Sequence, residues 1–206
     1  MLDHDVMAYF QAIHNSCNTL EFTFDKRNSL FIPLFSTSIE HSIAIHVLDK
    51  EELTGSAFAL ARPLVETYLR AMWVKHYLDE SKIEVGCEQL HFPKKLEVLL
   101  SNIETTVELG SPFHKLKPTL EPIIANMHDF THGGIQSIAR QYDSDGHLSG
   151  IYCREERDEL LKLAVIISLH SFNNLNPFLK CPNSLEAVTK KANELLGVVV
   201  IASSNP

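Results

Sequence analysis

The chain has 206 residues, 45% of them hydrophobic and 21% charged, and this balance excludes disordered and fibrous proteins. Lys and Arg number 18 against 26 Asp and Glu, which gives a net charge of -8 and argues against generic binding to nucleic acid phosphates. The length suits one substantial hydrophobic core, so we predict a single domain that spans residues 1–206.

The cysteines and the N-terminal sequence indicate the compartment. Four cysteines are scattered along the chain without a CxxC pair, which is typical of reduced thiols in cytosolic proteins. The opening sequence, MLDHDVMAYF, contains two acidic residues and no basic region, so it does not predict a secretory signal. The longest apolar run, 195–202, is too short to cross a bilayer. We therefore expect a cytoplasmic protein without membrane contact.

Apolar residues three and four positions apart predict seven helical segments. The third is interrupted by Pro63, which either bends one helix or marks its true start. The fifth starts near Pro118 or Pro122 and stops at the pair Gly133-Gly134. The sixth is apolar on nearly every side, so we predict a central, buried helix. In chain order the segments span residues 3–22, 30–50, 56–78, 93–109, 118–133, 154–172 and 184–202.

These segments predict an all-α, single-domain bundle of six or seven helices with essentially no sheet. The fifth helix can resume as far as Arg140. Residues 142–152 are rich in turn-forming residues and predict a long loop or a small hairpin.

The third segment carries a row of charged residues. Arg62, Glu66 and Arg70 are four positions apart and therefore project from one face of a helix. Their neighbours are apolar, so the row can point inward. It can form an exposed ladder of ion pairs, a buried pair that sets the register of a neighbouring helix, or a cleft in which a guanidinium holds an anion.

The fifth segment ends in an imidazole pair. His128 and His132 lie one helical turn apart, and Asp129 stands three positions before His132. Histidines at this spacing bind zinc in many metalloproteins, but a third ligand is missing, so we predict no metal and no other cofactor. Such pairs often serve as hydrogen-bonded polar groups beside a carboxylate. For Asp129 we expect an arginine of the third helix as partner.

These two segments carry a family resemblance, because one helix reads R-P-L-V-E-x-x-x-R and another ends in H-D-x-x-H-G-G. The layout resembles a group of uncharacterised bacterial helical-bundle proteins. That group is distantly similar to the HEPN class of helical domains in toxin–antitoxin and phage-defence loci. The resemblance covers residues from Gly55 to Phe172. It rests on Arg62, Pro63, Glu66, Arg70, His128, Asp129, His132, Gly133 and Gly134.

HEPN ribonucleases place a catalytic histidine a few positions after an arginine, and Arg140 and His147 fit this pattern. The resemblance implies that His147 acts as general acid or base on the 2′-hydroxyl and that Arg140 holds the phosphate. The intervening segment is acidic, and Asp143 and Asp145 would repel that phosphate. The alternative interpretation is a surface arginine and a loop histidine without a catalytic role.

Three functional hypotheses follow, and they leave open whether the chain is an enzyme. The first is a cytosolic interaction module of a defence or toxin–antitoxin system. Its internal polar cluster sets the helix register or lines a small-ligand pocket, and consists of Arg62, Glu66, Arg70, His128, Asp129 and His132.

The second hypothesis is a metal-independent HEPN-like ribonuclease that uses Arg140 and His147, or Arg70 and His132 across the bundle. The third is a histidine-based metal-binding protein. We expect a homodimer, because the apolar helical faces outnumber what one small core needs, and there is room for a partner protein. RNA is a partner under the second hypothesis alone.

Overall fold

Eight α-helices and no β-strand are formed by the residues that the computed structural model describes, which confirms the predicted all-α bundle. The described residues are 3–23, 25–79, 81, 83, 90–131, 133–148, 150, 152–180 and 184–197. The helices are α1 (Asp3–Cys17), α2 (Asn28–Lys50), α3 (Thr54–His76), α4 (Leu96–Glu104), α5 (Pro112–Thr131), α6 (Ile135–Ala139), α7 (Arg154–Leu175) and α8 (Ser184–Leu196).

Three long helices, α2, α3 and α7, pack against one another at the centre of the bundle. Phe35, Tyr68 and Phe172, one from each of these helices, are completely buried. Around them, α4 and α5 pack against α3, while α1 and α8 pack against each other and against α7. The prediction that the sixth apolar segment is a central, buried helix is confirmed, because that segment is α7.

Hydroxyl groups join the central helices to one another. The hydroxyls of Ser38 in α2 and Ser171 in α7 lie 3.1 Å apart, and Ser42 donates to the Ser38 carbonyl at 3.1 Å. Tyr9 of α1 donates a hydrogen bond to the carbonyl of Val165 in α7, also at 3.1 Å. Buried polar groups destabilise a core unless they are hydrogen-bonded, and these have partners. They therefore fix how α1 and α2 pack on α7.

The start of α5 differs from the prediction. A start near Pro118 or Pro122 is wrong, because the helix begins at Pro112, where a proline has no intrahelical hydrogen bond to lose. The two later prolines lie inside the helix, where each costs about 3 kcal/mol relative to alanine. Burial of the apolar face that spans them offsets this cost, and the face consists of Phe113, Leu116, Leu120 and Ile124.

Pro63 does not separate two helices, because α3 runs through it without a break. The proline removes the hydrogen bond that the carbonyl of Ala59 would otherwise accept. Ala61, Leu64 and Val65 on either side of it are buried, so packing holds the helix together at this point.

The observed ends of several helices differ from the predicted ones. The first helix ends at Cys17 rather than at residue 22, because Leu20 forms a β-bridge with Leu179 and the amide of Glu21 donates to the carbonyl of Phe178 at 2.8 Å. The fourth helix is shorter than the predicted 93–109, and α7 continues three residues beyond the predicted 172.

Among the described helices, α2 is long and apolar enough to cross a membrane by length and composition. Core helices and signal sequences have the same length and composition. Here α2 packs against α3 and α7 and buries the polar side chains of His46 and Asp49. This packing is that of a core helix.

Candidate functional site

The charged row of α3 is a chain of ion pairs at the surface of the bundle. Arg62 Nε lies 3.7 Å from Glu66 Oε2, and Arg70 forms an ion pair with the other oxygen of Glu66. All three side chains are partly exposed. The Arg70 guanidinium also lies 5.0 Å from the ring centre of Phe92. This geometry suits a structural ladder, since partly exposed pairs of this kind contribute a few tenths of a kcal/mol.

The imidazole pair that the sequence singles out lies where the structure does not describe the side chains. His128 and Asp129 belong to the last turns of α5, but their side chains and the whole of His132 lie outside the described residues. Their roles in metal binding, and in contacts with α3, stay predictions.

Arg140 and His147 each form an ion-pair contact with a different carboxylate. Arg140, at the end of α6, forms an ion pair with Glu156 of α7, and its guanidinium lies 5.1 Å from the ring centre of Phe130. The His147 side chain is 78% exposed, and its Nδ1 lies 3.5 Å from Asp143 Oδ2. An arginine whose charge is balanced by a carboxylate is poorly prepared to hold a phosphate.

Between these two residues the chain forms a small acidic hairpin, as the sequence predicts for this stretch. An antiparallel β-bridge joins Tyr142 to Leu148. Within it the Asp143 carboxylate accepts hydrogen bonds from the amides of Asp145 and His147, both at 2.9 Å. Oxygens of the two aspartates and a nitrogen of His147 lie within 4.8 Å of one another. This concentration of negative charge is unfavourable for a phosphate ligand.

A cavity of about 600 Å³ lies between α3, α5 and the first turns of α7, next to Arg140. Its described walls are mainly apolar, and the charged side chains among them come from the end of α6 and from α7. The described residues that line it are Phe58, Ala61, Ile123, Phe130, Arg140, Glu155, Glu156, Glu159, Leu160 and Leu163.

Three aromatic rings form a column beside the cavity, from Tyr152 through Phe58 to Phe130. Neighbouring ring centres are 5.0 Å apart, and the rings of Phe58 and Tyr152 are close to parallel. These spacings are favourable for aromatic pairs. A Cβ at Gly55 would lie 3.1 Å from the Tyr152 hydroxyl, so glycine allows this ring to approach α3. The aromatic column thus ties α3 and α5 to the segment before α7.

Glu156 is the residue that holds the charged side of the cavity together. Its carboxylate binds Arg140 and also accepts a hydrogen bond from the amide of Cys153, at 3.3 Å, which forms part of a capping box at the start of α7. The hydrogen bond from Arg140 lowers the pKa of Glu156, and the same bond raises the pKa of Arg140. Burial raises the pKa of Tyr152.

The other two glutamates of the cavity are more exposed. Glu159 forms an ion pair with Lys162 at 2.6 Å on the surface of α7. Within the described part of the chain, no ion pair is found for Glu155. The two glutamates are four positions apart on one helix and therefore lie on the same face.

The part of the chain that forms the cavity also matches a known protein family. The profile of a family of unknown function, DUF6988, matches residues 35–196, which is more than half of the chain. The chain belongs to this family. The matched residues include all of α3, α5, α6 and α7, and hence every described residue of the cavity. No curated protein and no solved structure matches the chain.

Sequence reasoning missed two features of this DUF6988 member. The aromatic residues of the cavity have helical spacing and were indistinguishable from core residues. The buried carboxylate of Asp49 forms an ion pair with the partly exposed Arg157, with Nε–Oδ1 at 2.7 Å, although the two residues are 108 positions apart. The acidic residues at the start of α7 were the available signal for the charged side of the cavity.

Proposed function

We propose that the chain is a cytosolic binding module that holds a small molecule in the cavity between α3, α5 and α7. The observation that carries this proposal is the cavity itself, whose volume of about 600 Å³ falls within the range of small-molecule sites. Such sites combine apolar walls with a few polar groups, and this cavity has the same composition.

The packing of the walls supports a binding site over a packing defect. Protein interiors are close-packed, and voids larger than a water molecule are few. Ala61, Leu160 and Leu163 are each less than 9% exposed, so the floor of the cavity belongs to the ordered core of α3 and α7. A rigid floor of this kind can hold a ligand without rearrangement.

The composition of the described lining suits the binding of a small molecule. The lining is mainly apolar, and its carboxylates and its one guanidinium are charged groups that can orient a ligand. The setting in a defence or toxin–antitoxin system, the homodimer and a partner protein belong to this proposal as well. The setting is supported by the HEPN resemblance alone.

The test is a cavity-filling substitution. Ala61→Phe places a ring in the cavity, and we expect it to abolish the binding of neutral aromatic probes such as Nile red and 4-phenylbutan-1-ol. The wild type should bind the dye with increased fluorescence and bind the alcohol with shifts in its protein NMR spectrum. The matched control is Ala8→Phe in α1, a partly buried alanine that does not line the cavity.

Retention of probe binding in a folded Ala61→Phe variant would show that the probes bind elsewhere and would refute the proposal. So would the absence of binding to the wild type.

A further inference from the structure

We propose that the ligand of this cavity is an organic cation, a primary amine or a guanidine with an apolar body about the size of one aromatic ring and a short chain. This inference rests on the proposed function and adds the ligand class to it. The apolar walls receive the body of the ligand, and the carboxylates of α7 receive its charge.

The charge of the lining favours a cation. Among the described residues, three glutamates and one arginine line the cavity, and Arg140 is paired with Glu156. An anionic ligand would have to separate Arg140 from Glu156 and would then meet the carboxylates of Glu155 and Glu159. A cation meets these two exposed carboxylates directly, while the apolar walls beside them receive the body of the ligand.

The cavity already holds a cation that belongs to the protein. The Arg140 guanidinium lies 5.1 Å from the ring centre of Phe130 and is bound to Glu156, so one aromatic ring and one carboxylate together accept a positive group. This is the arrangement by which proteins bind ligand ammonium and guanidinium groups. The contact with Phe130 adds to the charge of the lining, and it shows that the protein's own guanidinium is accommodated beside these walls.

Glu155 and Glu159 are positioned to bind a second cation. Like charges four positions apart on a helix repel each other, and a cation bound near both would relieve this repulsion. The contact of Glu159 with Lys162 is an exposed pair, which is weak and can exchange for a ligand. Glu159 also lies beyond the first turn of α7, so the helix dipole does not explain its charge.

The test uses three probes of nearly equal shape: 4-phenylbutylamine, 4-phenylbutan-1-ol and 4-phenylbutyrate. Their affinities for the full chain are measured by calorimetry at neutral pH and low salt. We expect the amine to bind about tenfold more tightly than the alcohol, a difference of about 1.4 kcal/mol, and the butyrate to bind most weakly. Added salt should reduce the preference for the amine, because screening weakens the attraction between exposed charges.

The double variant Glu155→Gln/Glu159→Gln should bind the amine no better than the alcohol, while its affinity for the alcohol stays unchanged. The matched control, Glu40→Gln/Glu108→Gln, removes the same charge from exposed positions outside the cavity and should keep the preference.

The outcomes separate the two proposals. Equal binding of amine and alcohol, tightest binding of the butyrate, or a preference that survives in the double variant each overturns the cationic ligand and leaves the binding cavity in place. Failure of all three probes to bind overturns the cavity proposal together with this one.

Discussion

Two neighbouring residues of α7, Glu156 and Arg157, form ion pairs that face different parts of the molecule. Arg157 donates two hydrogen bonds to the Asp49 carboxylate, at 2.7 and 3.1 Å, and a third to the Asp49 carbonyl at 3.1 Å. Glu156 binds Arg140 beside the cavity. Asp49 is only 9% exposed, whereas Glu156 is 33% exposed.

The comparison separates a structural pair from a pair at the proposed binding site. Arg157 reaches the last turn of α2, where a cation is favoured by the helix dipole, and satisfies a buried carboxylate there. It ties the C-terminal end of α2 to the first turns of α7. Arg140 lies on an aromatic ring at an accessible cavity, where a ligand can compete with it. The surroundings of a charge pair, rather than its chemistry, decide which of the two roles it has.

The largest effect should come from the structural pair. Asp49→Ala leaves the Arg157 guanidinium without its carboxylate, and we expect the free energy of unfolding to fall by about 2 kcal/mol. The estimate lies at the low end for buried pairs, because Arg157 is 38% exposed and regains water. Urea denaturation measures the change, with Glu121→Ala at a more exposed i,i+4 pair in α5 as the control. Equal losses for the two variants would contradict the structural role.

The second-largest effect is expected on the affinity of the cavity for a cationic ligand. Arg140→Ala leaves the Glu156 carboxylate without its guanidinium partner, so a ligand cation can bind a third carboxylate of the cavity. We expect 4-phenylbutylamine to bind about three- to tenfold more tightly, which corresponds to about 1 kcal/mol. Calorimetry measures this affinity. Under the same conditions Asp49→Ala should leave the affinity of the folded protein unchanged. Weaker amine binding by Arg140→Ala would mean that the arginine, rather than the glutamates, determines the ligand.

The sequence was sufficient for the helices but not for the cavity. Periodicity identified α7 as central, because apolar residues on all sides of a helix require burial on all sides. Prolines misled the prediction of α5, since burial of its apolar face outweighed their local cost. The cavity walls come from positions as far apart as Phe58 and Leu163, each of which looks like core in isolation. An unfilled space is a property of several packed helices together, so no local pattern in the sequence records it.

A smaller effect should appear in the pH dependence of stability. The folded-state pKa of Glu156 lies below its unfolded value, mainly because Arg140 donates a hydrogen bond to the charged form. The stabilisation is therefore present above the unfolded pKa of about 4.3 and is lost as the pH falls through the lower folded pKa. Since Glu156 is partly exposed, we expect no more than about 1 kcal/mol.

The measurement compares wild type with Glu156→Gln by urea denaturation from neutral pH to about pH 3, across the range in which glutamate titrates. The wild type should be more stable at neutral pH, and the difference should disappear in acid. If the stability difference between the two proteins grows in acid, its pH dependence is the opposite of the expected one, and the ion pair is excluded as its cause.

The smallest effect is expected at His147, and it distinguishes the cavity from the ribonuclease hypothesis. Because the His147 side chain is 78% exposed and its ion-pair partner Asp143 is itself partly exposed, His147→Ala should change the free energy of unfolding by less than about 0.5 kcal/mol. It should also leave amine binding unchanged, whereas Arg140→Ala alters it. A ribonuclease that uses both residues requires the two variants to lose cleavage of a single-stranded RNA together, since both would act in one step. Parallel loss of cleavage would move the functional site to the acidic hairpin. A change in amine binding confined to Arg140→Ala keeps it in the cavity.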